Sequence, residues 1–211
     1  MKNIKSIITV LLVVVSTGLM AQTTANNGIK EAATKGKSDL LKLLSENKDF
    51  NFGVSARDVE AAQVSNPIEL FSTEFNSLLN DNSGNIASIS RSENVYIVPL
   101  IADNKTVTTI SVASNSKGTK VVELVSQQYT SELNNLADDI KRVNYKGLKF
   151  VHVPNIEASL YIYGDKCYTS YNGRSLREGI NISEITRQLQ TDARAFQAEF
   201  GEELKKGKLV R

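Results

Sequence analysis

The feature that most constrains the fold is the run Val95-Tyr96-Ile97-Val98-Pro99-Leu100-Ile101. It is apolar at odd and even positions alike, so both faces of the strand it forms must be buried, as in the interior of a sheet. Pro99 sits inside this run and has no N–H to donate, which predicts a bulge or an unpaired ladder position there. Asp103-Asn104-Lys105 turns the chain, and Val107 to Val112 returns as a second strand. Ser114 to Gly118 turns it again, and Thr119 to Val125 makes the third strand of an antiparallel meander.

Helical periodicity flanks these strands. Leu40, Leu41, Leu43 and Leu44 give one face of a short helix opened by Ser38-Asp39. Ser55, with Asp58 three residues on, resembles a capping box, and Asn66-Pro67 stops that second helix. Ile68 to Phe71 reads as a strand, and Phe75, Leu78 and Leu79 suggest a short helix or turn. Tyr129, Leu133, Leu136, Ile140 and Val143 fall on one stripe of a helix packed on the sheet. Leu148–Val153, Ala158–Tyr163 and Lys166–Tyr171 read as three more strands. Asn181 caps a closing helix whose stripe runs through Ile185, Leu189, Ala193, Phe196, Phe200 and Leu204, followed by a basic tail from Lys205 to Lys208. The expected fold is α+β: a twisted antiparallel sheet with helices packed on one face.

The N-terminus predicts export. Lys2 and Lys5 precede nine apolar residues, Ile7 to Val15, and Ala21 offers a small residue at a cleavage point. That order is a signal peptide over residues 1–21, and the apolar run is shorter than the roughly 20 residues a membrane span needs. An uncleaved anchor is the alternative. Residues 22–36 are small and polar and are expected to be a disordered lead-in. Residues 37–211 are expected to form one α+β domain, with two similar halves as the other division. Losing Lys2 and Lys5 takes Lys+Arg from 25 to 23 against 23 Asp+Glu. A neutral exported chain has no global field for nucleic acid and no stable membrane anchor. A bacterial periplasmic or secreted location is expected.

Chemistry-bearing motifs are few. His152 and Cys167 each occur once. Together they would make a cysteine hydrolase, and singly they read as ordinary strand residues. One His and one Cys do not supply a zinc site, and neighbouring acids such as Asp138-Asp139 diverge around their helix. No cofactor, metal or catalytic set is expected. Tyr161, Tyr163, Tyr168 and Tyr171 crowd one predicted hairpin, either as a ladder that stabilises the sheet or as a binding surface.

Several segments bear a likeness to a known pattern. They are Ser55 to Asp58, Asn66 to Ile68, Tyr96 to Ile101, Asp103 to Val107 and Ile110 to Val112. In these the chain resembles the cystatin-like, propeptide-type domains of secreted bacterial proteins. The resemblance implies protease inhibition or chaperoning. With no protease domain in the chain, it implies a free-standing binder of a protein partner in the envelope or medium. A structural envelope protein without discrete chemistry is the remaining expectation.

Overall fold

The computed structural model describes residues 26–47 and 51–205, with side chains to residue 201. The expected signal peptide, the first four residues of the lead-in and most of the basic tail lie outside the described residues.

Helix α1 covers residues 26–46. It is followed by α2 (Ala56–Ala61), β1 (Gln63–Val64), β2 (Ile68–Ser72), α3 (Phe75–Asn80) and α4 (Ile86–Ile89). The meander is β3 (Arg91–Ala102), β4 (Lys105–Asn115) and β5 (Gly118–Glu123). Next come α5 (Gln127–Asn135), α6 (Asp138–Arg142), β6 (Lys149–Val153), β7 (Ala158–Tyr163), β8 (Lys166–Tyr168), β9 (Ile180–Asn181) and α7 (Ile182–Lys205). The strands form one continuous sheet in the order β5-β4-β3-β2-β6-β7-β8-β9, with β1 also on β3. All pairings are antiparallel except β2 with β6, which joins the meander to the C-terminal strands.

The α+β class, the meander and the helices packed on the sheet are all present, but the helices cover both faces rather than the one expected, because the central strands are apolar on both sides. The two-faced apolarity of β3 is met by cover on both sides. Ile97 points to one face, where Leu133 of α5, Leu136 of the link and Ile140 of α6 close over Ile68, Phe150 and Tyr161. Val98 and Leu100 point to the other, under Ile29, Ala33 and Leu40 of α1 and Val59 of α2. On that same face Ile185, Leu189 and Ala193 of α7 pack on Val151, Val153, Leu160 and Ile162.

Pro99 is accommodated without a bulge at its own position. Its carbonyl accepts the Ser65 N–H at 2.9 Å, so the backbone edge lacking a donor faces the β1–β2 side. There the partner chain breaks, between Val64 at the end of β1 and Ile68 at the start of β2. The missing donor therefore falls where no strand is present to receive it.

Two segments depart from expectation. Residues 26–36, expected as disordered lead-in, are helical and begin α1 well before Ser38. Their buried stripe is Ile29, Ala33, Gly36 and Leu40, narrow enough to hide in a polar composition. The small residues let the helix sit close to the sheet: a Cβ on Gly36 would lie 3.0 Å from Val121 and 3.1 Å from Ile110. The helix expected from Tyr129 to Val143 is two helices, parted at Leu136-Ala137, where the backbone is extended. Asn134 pins that end. Its side-chain oxygen accepts the Thr106 N–H at 2.9 Å and its amide donates to the Thr106 carbonyl at 2.8 Å. Such side-chain to backbone bonds compete with helix continuation.

Candidate functional site

The helical cover on the α5–α6 face is incomplete, and a groove of about 480 Å³ opens where it stops. Its floor is a cross-strand row, because Leu70 of β2 pairs with Phe150 of β6 and Phe150 with Tyr161 of β7. Tyr129, in the first turn of α5, closes one side and meets Phe150 edge-on at 5.4 Å between ring centres. Phe150 meets Tyr161 in the same way at 5.0 Å. Edge-to-face contacts of this kind fix ring orientation and add to area burial.

The next row along the same strands is polar. Ser72 pairs with His152 in the parallel ladder, and His152 with Ser159 in the antiparallel one. All three line the groove. His152 is half-buried, and among the described residues no hydrogen bond or ion pair engages its imidazole. Strand alternation places it here: Phe150 and His152 face the groove while Val151 and Val153 lock into the α7 core. Pro154 follows at once and ends the strand in a 3₁₀ turn.

Glu93 reaches the groove through a bulge. Leu70 pairs with Val95 but Phe71 pairs with Ser92, which leaves Glu93 and Asn94 as extra residues in β3. Asn94 takes a left-handed conformation, φ +52°, that Asn tolerates better than most residues. Bulges re-aim side chains in this way, and the Glu93 carboxylate here accepts a short hydrogen bond from the Ser72 hydroxyl. On α5, Gln128 lines the rim and donates to Glu132 at 3.1 Å, and Glu132 also accepts from the Tyr161 hydroxyl at 2.7 Å. Burial pushes the Tyr129 phenol pKa up, and the nearby Glu123 and Glu132 push it further.

A second hollow of about 530 Å³ lies among Gln63, Ser65, Asp103, Asn104 and Asn144. Polar groups there bond to one another: Ser65 and Asn66 both donate to the Asn144 carbonyl, at 3.0 and 3.1 Å. Val64 and Ile101 also line it, but its surface is mainly polar and carries no aromatic ring, which makes the first groove the better place to hold a ligand.

The residues singled out from sequence are dispersed. Cys167 pairs with Ile162 and points into the α7 core, while His152 pairs with Ser159 on the other face. The sheet separates thiol from imidazole, so the two form no dyad. Burial pushes the Cys167 thiol up to about 12, outweighing the opposing effect of Arg174. That is the reverse of what a nucleophilic thiolate needs. Of the tyrosines, Tyr161 and Tyr168 are buried, opposite each other on paired strands of the α5–α6 core. Tyr163 is half-buried on that same face. Tyr171 packs against the opposite core and donates to Asp192 at 2.8 Å. Three of the four rings therefore lie on one largely buried face and Tyr171 on the other, and only Tyr161 comes near the groove, beneath its floor. Sequence reasoning missed Tyr129, Glu93 and Gln128. Glu93-Asn94 ahead of a long apolar strand is the one local signal of a bulge that could have pointed here. Comparison with protein-family models, curated proteins and solved structures gives no match for this chain.

Proposed function

We propose that this chain is an exported, non-enzymatic bacterial binding module, and that the groove beside α5 takes up a segment of a protein partner in the envelope or medium. The observation that carries the reading is the groove's construction. An apolar floor and wall (Leu70 and Phe150, with Tyr129) lie beside convergent polar groups (Ser72, Glu93, His152, Ser159) carried on β2, β3, β6 and β7. Apolar area supplies affinity in such a site, and the few polar groups set orientation. The leader-like order of residues 1–21 supports export, and the resemblance to cystatin-like, propeptide-type domains favours a protease as the partner class.

Site-directed photocrosslinking tests this. A photoreactive residue replaces Gln128 at the groove, or Lys117 in the distant β4–β5 turn as a control, and the protein is exposed to envelope and medium fractions. The expected result is a discrete adduct from position 128 alone, lost when Tyr129→Ala removes one wall. Equal labelling from both positions, or no adduct from position 128, overturns the groove as the docking site.

A further inference from the structure

We infer that the segment taken up by the groove presents an aliphatic or aromatic side chain beside a Lys or Arg; this rests on the groove being a docking site. The apolar half of that match is the floor of Leu70 and Phe150 with the Tyr129 wall. The cationic half follows from how the carboxylates around it are held. Glu93 is bonded by the Ser72 hydroxyl, Glu123 by the Ser111 hydroxyl at 2.9 Å, and Glu132 by Tyr161 and Gln128. Every one of these donors is neutral. The four ion pairs among the described residues engage Glu46, Glu74, Asp138 and Glu184 instead.

A hydroxyl fixes a carboxylate's direction and leaves its charge uncompensated. Three such charges flank Tyr129 and the groove, and no Lys or Arg lines the wall. The neighbouring phenols register the same field. Burial first, and then Glu123 and Glu132 at Tyr129 and Glu132 at Tyr161, push the two phenol pKa values upward. An arriving ammonium or guanidinium meets oriented acceptors already bonded once, and gains charge-assisted hydrogen bonds there. The half-buried ring of Tyr129, where it lines the groove, adds a face that attracts a cation. An acidic segment meets repulsion at the same rim.

The test uses three blocked synthetic peptides that share a Leu-Phe pair followed by Lys-Lys, Gln-Gln or Glu-Glu. Binding to the isotope-labelled protein is read from the NMR resonances of Tyr129, Phe150 and His152. The Lys peptide is expected to bind about tenfold more tightly than the Gln peptide at low salt, with the gap closing as salt screens the rim. Glu93→Gln keeps the Ser72 hydrogen bond and should reduce the Lys-over-Gln preference several-fold. Glu60→Gln, on α2, should leave that preference unchanged. Equal binding of all three peptides at the groove overturns the cationic preference and leaves the docking site standing, as does a preference for the Glu peptide. If none of the three moves the groove resonances, the docking site itself falls, and the cationic preference with it.

Discussion

The phenol oxygen of Tyr145 lies 2.8 Å from the hydroxyl of Thr106, across 39 residues of sequence. Tyr145 also donates to the Leu133 carbonyl at 3.3 Å, so the Thr106 hydroxyl donates to the phenol oxygen. Thr106 is bonded through its backbone to Asn134 as well, which makes it the point where β4, the end of α5 and the loop before β6 meet. Tyr145 holds a left-handed conformation, φ +60°, next to Asn144 at φ +51°. A bulky residue adopts that conformation only where its surroundings over-determine it. The anchored phenol and the buried ring are what do so here.

Tyr145→Phe should therefore cost about 1 to 2 kcal/mol, since it strips the Thr106 hydroxyl of its acceptor inside the core. Urea unfolding followed by far-UV circular dichroism measures it. Thr106→Val should cost a similar amount, and the double variant should cost clearly less than the sum, because both remove the same bond. An unshifted midpoint in Tyr145→Phe would mean that the bond contributes nothing.

Helix α1 is predicted to be an integral layer of the fold. Ile29 is fully buried against Val98, Leu100, Ile110 and Val112, so Ile29→Ala should destabilise the protein by about 2 to 5 kcal/mol. Gly36→Val tests the close approach differently. Its side chain would have to displace Val121 and Ile110, and overpacking of this kind costs about 1 to 3 kcal/mol. Hydrogen exchange should show backbone amides of residues 30–44 protected in the parent protein and less so in Gly36→Val. Exchange at the rate of an unfolded chain in the parent would return this segment to a lead-in.

Much of the fold was legible because it depended on period alone. The two-faced apolar run of β3, the strands that follow it and the long stripe of α7 all survive in the structure, as does the Ser55 cap, which accepts the Asp58 N–H at 3.1 Å. The α1 stripe escaped notice because burial there uses Ala33 and Gly36, residues that carry little apolar signal of their own. The break between α5 and α6 depended on a partner 28 residues away, Thr106, that no local pattern reveals. The groove was less legible still. Which face His152 and Cys167 take is a matter of strand register, and a slip of one residue would reverse it. The aim of Glu93 comes from a bulge whose existence depends on how β2 and β3 pair.

Cys167 should be inert in the folded protein. Its side chain is fully buried and its thiol pKa is pushed up to about 12 by that burial, so almost no thiolate exists at neutral pH. Reaction with a chromogenic disulfide reagent should be far slower than for a free thiol and should become complete on adding denaturant. Labelling of the native protein at the rate of a free thiol or faster would contradict the placement of Cys167 beneath α7 and reopen thiol chemistry.

The same burial predicts weakness toward alkali. Cys167 rises from an ordinary 9.0 to about 12, and Tyr171 from 10.0 to about 12 through burial and its bond to Asp192. Both groups are neutral when protonated, so between their ordinary values and about pH 12 the folded chain holds protons that the unfolded chain has released. Stability must then fall as pH rises through that window, because the unfolded state gains from ionisation what the folded state does not. The contribution is complete below pH 9, where both states keep the protons. Urea midpoints measured from pH 8 to 11.5 should drop steadily above pH 9. Cys167→Ala and Tyr171→Phe, each compared with its own midpoint at pH 8, should both flatten that drop. A profile of unchanged slope in both variants would assign the alkaline loss to other groups.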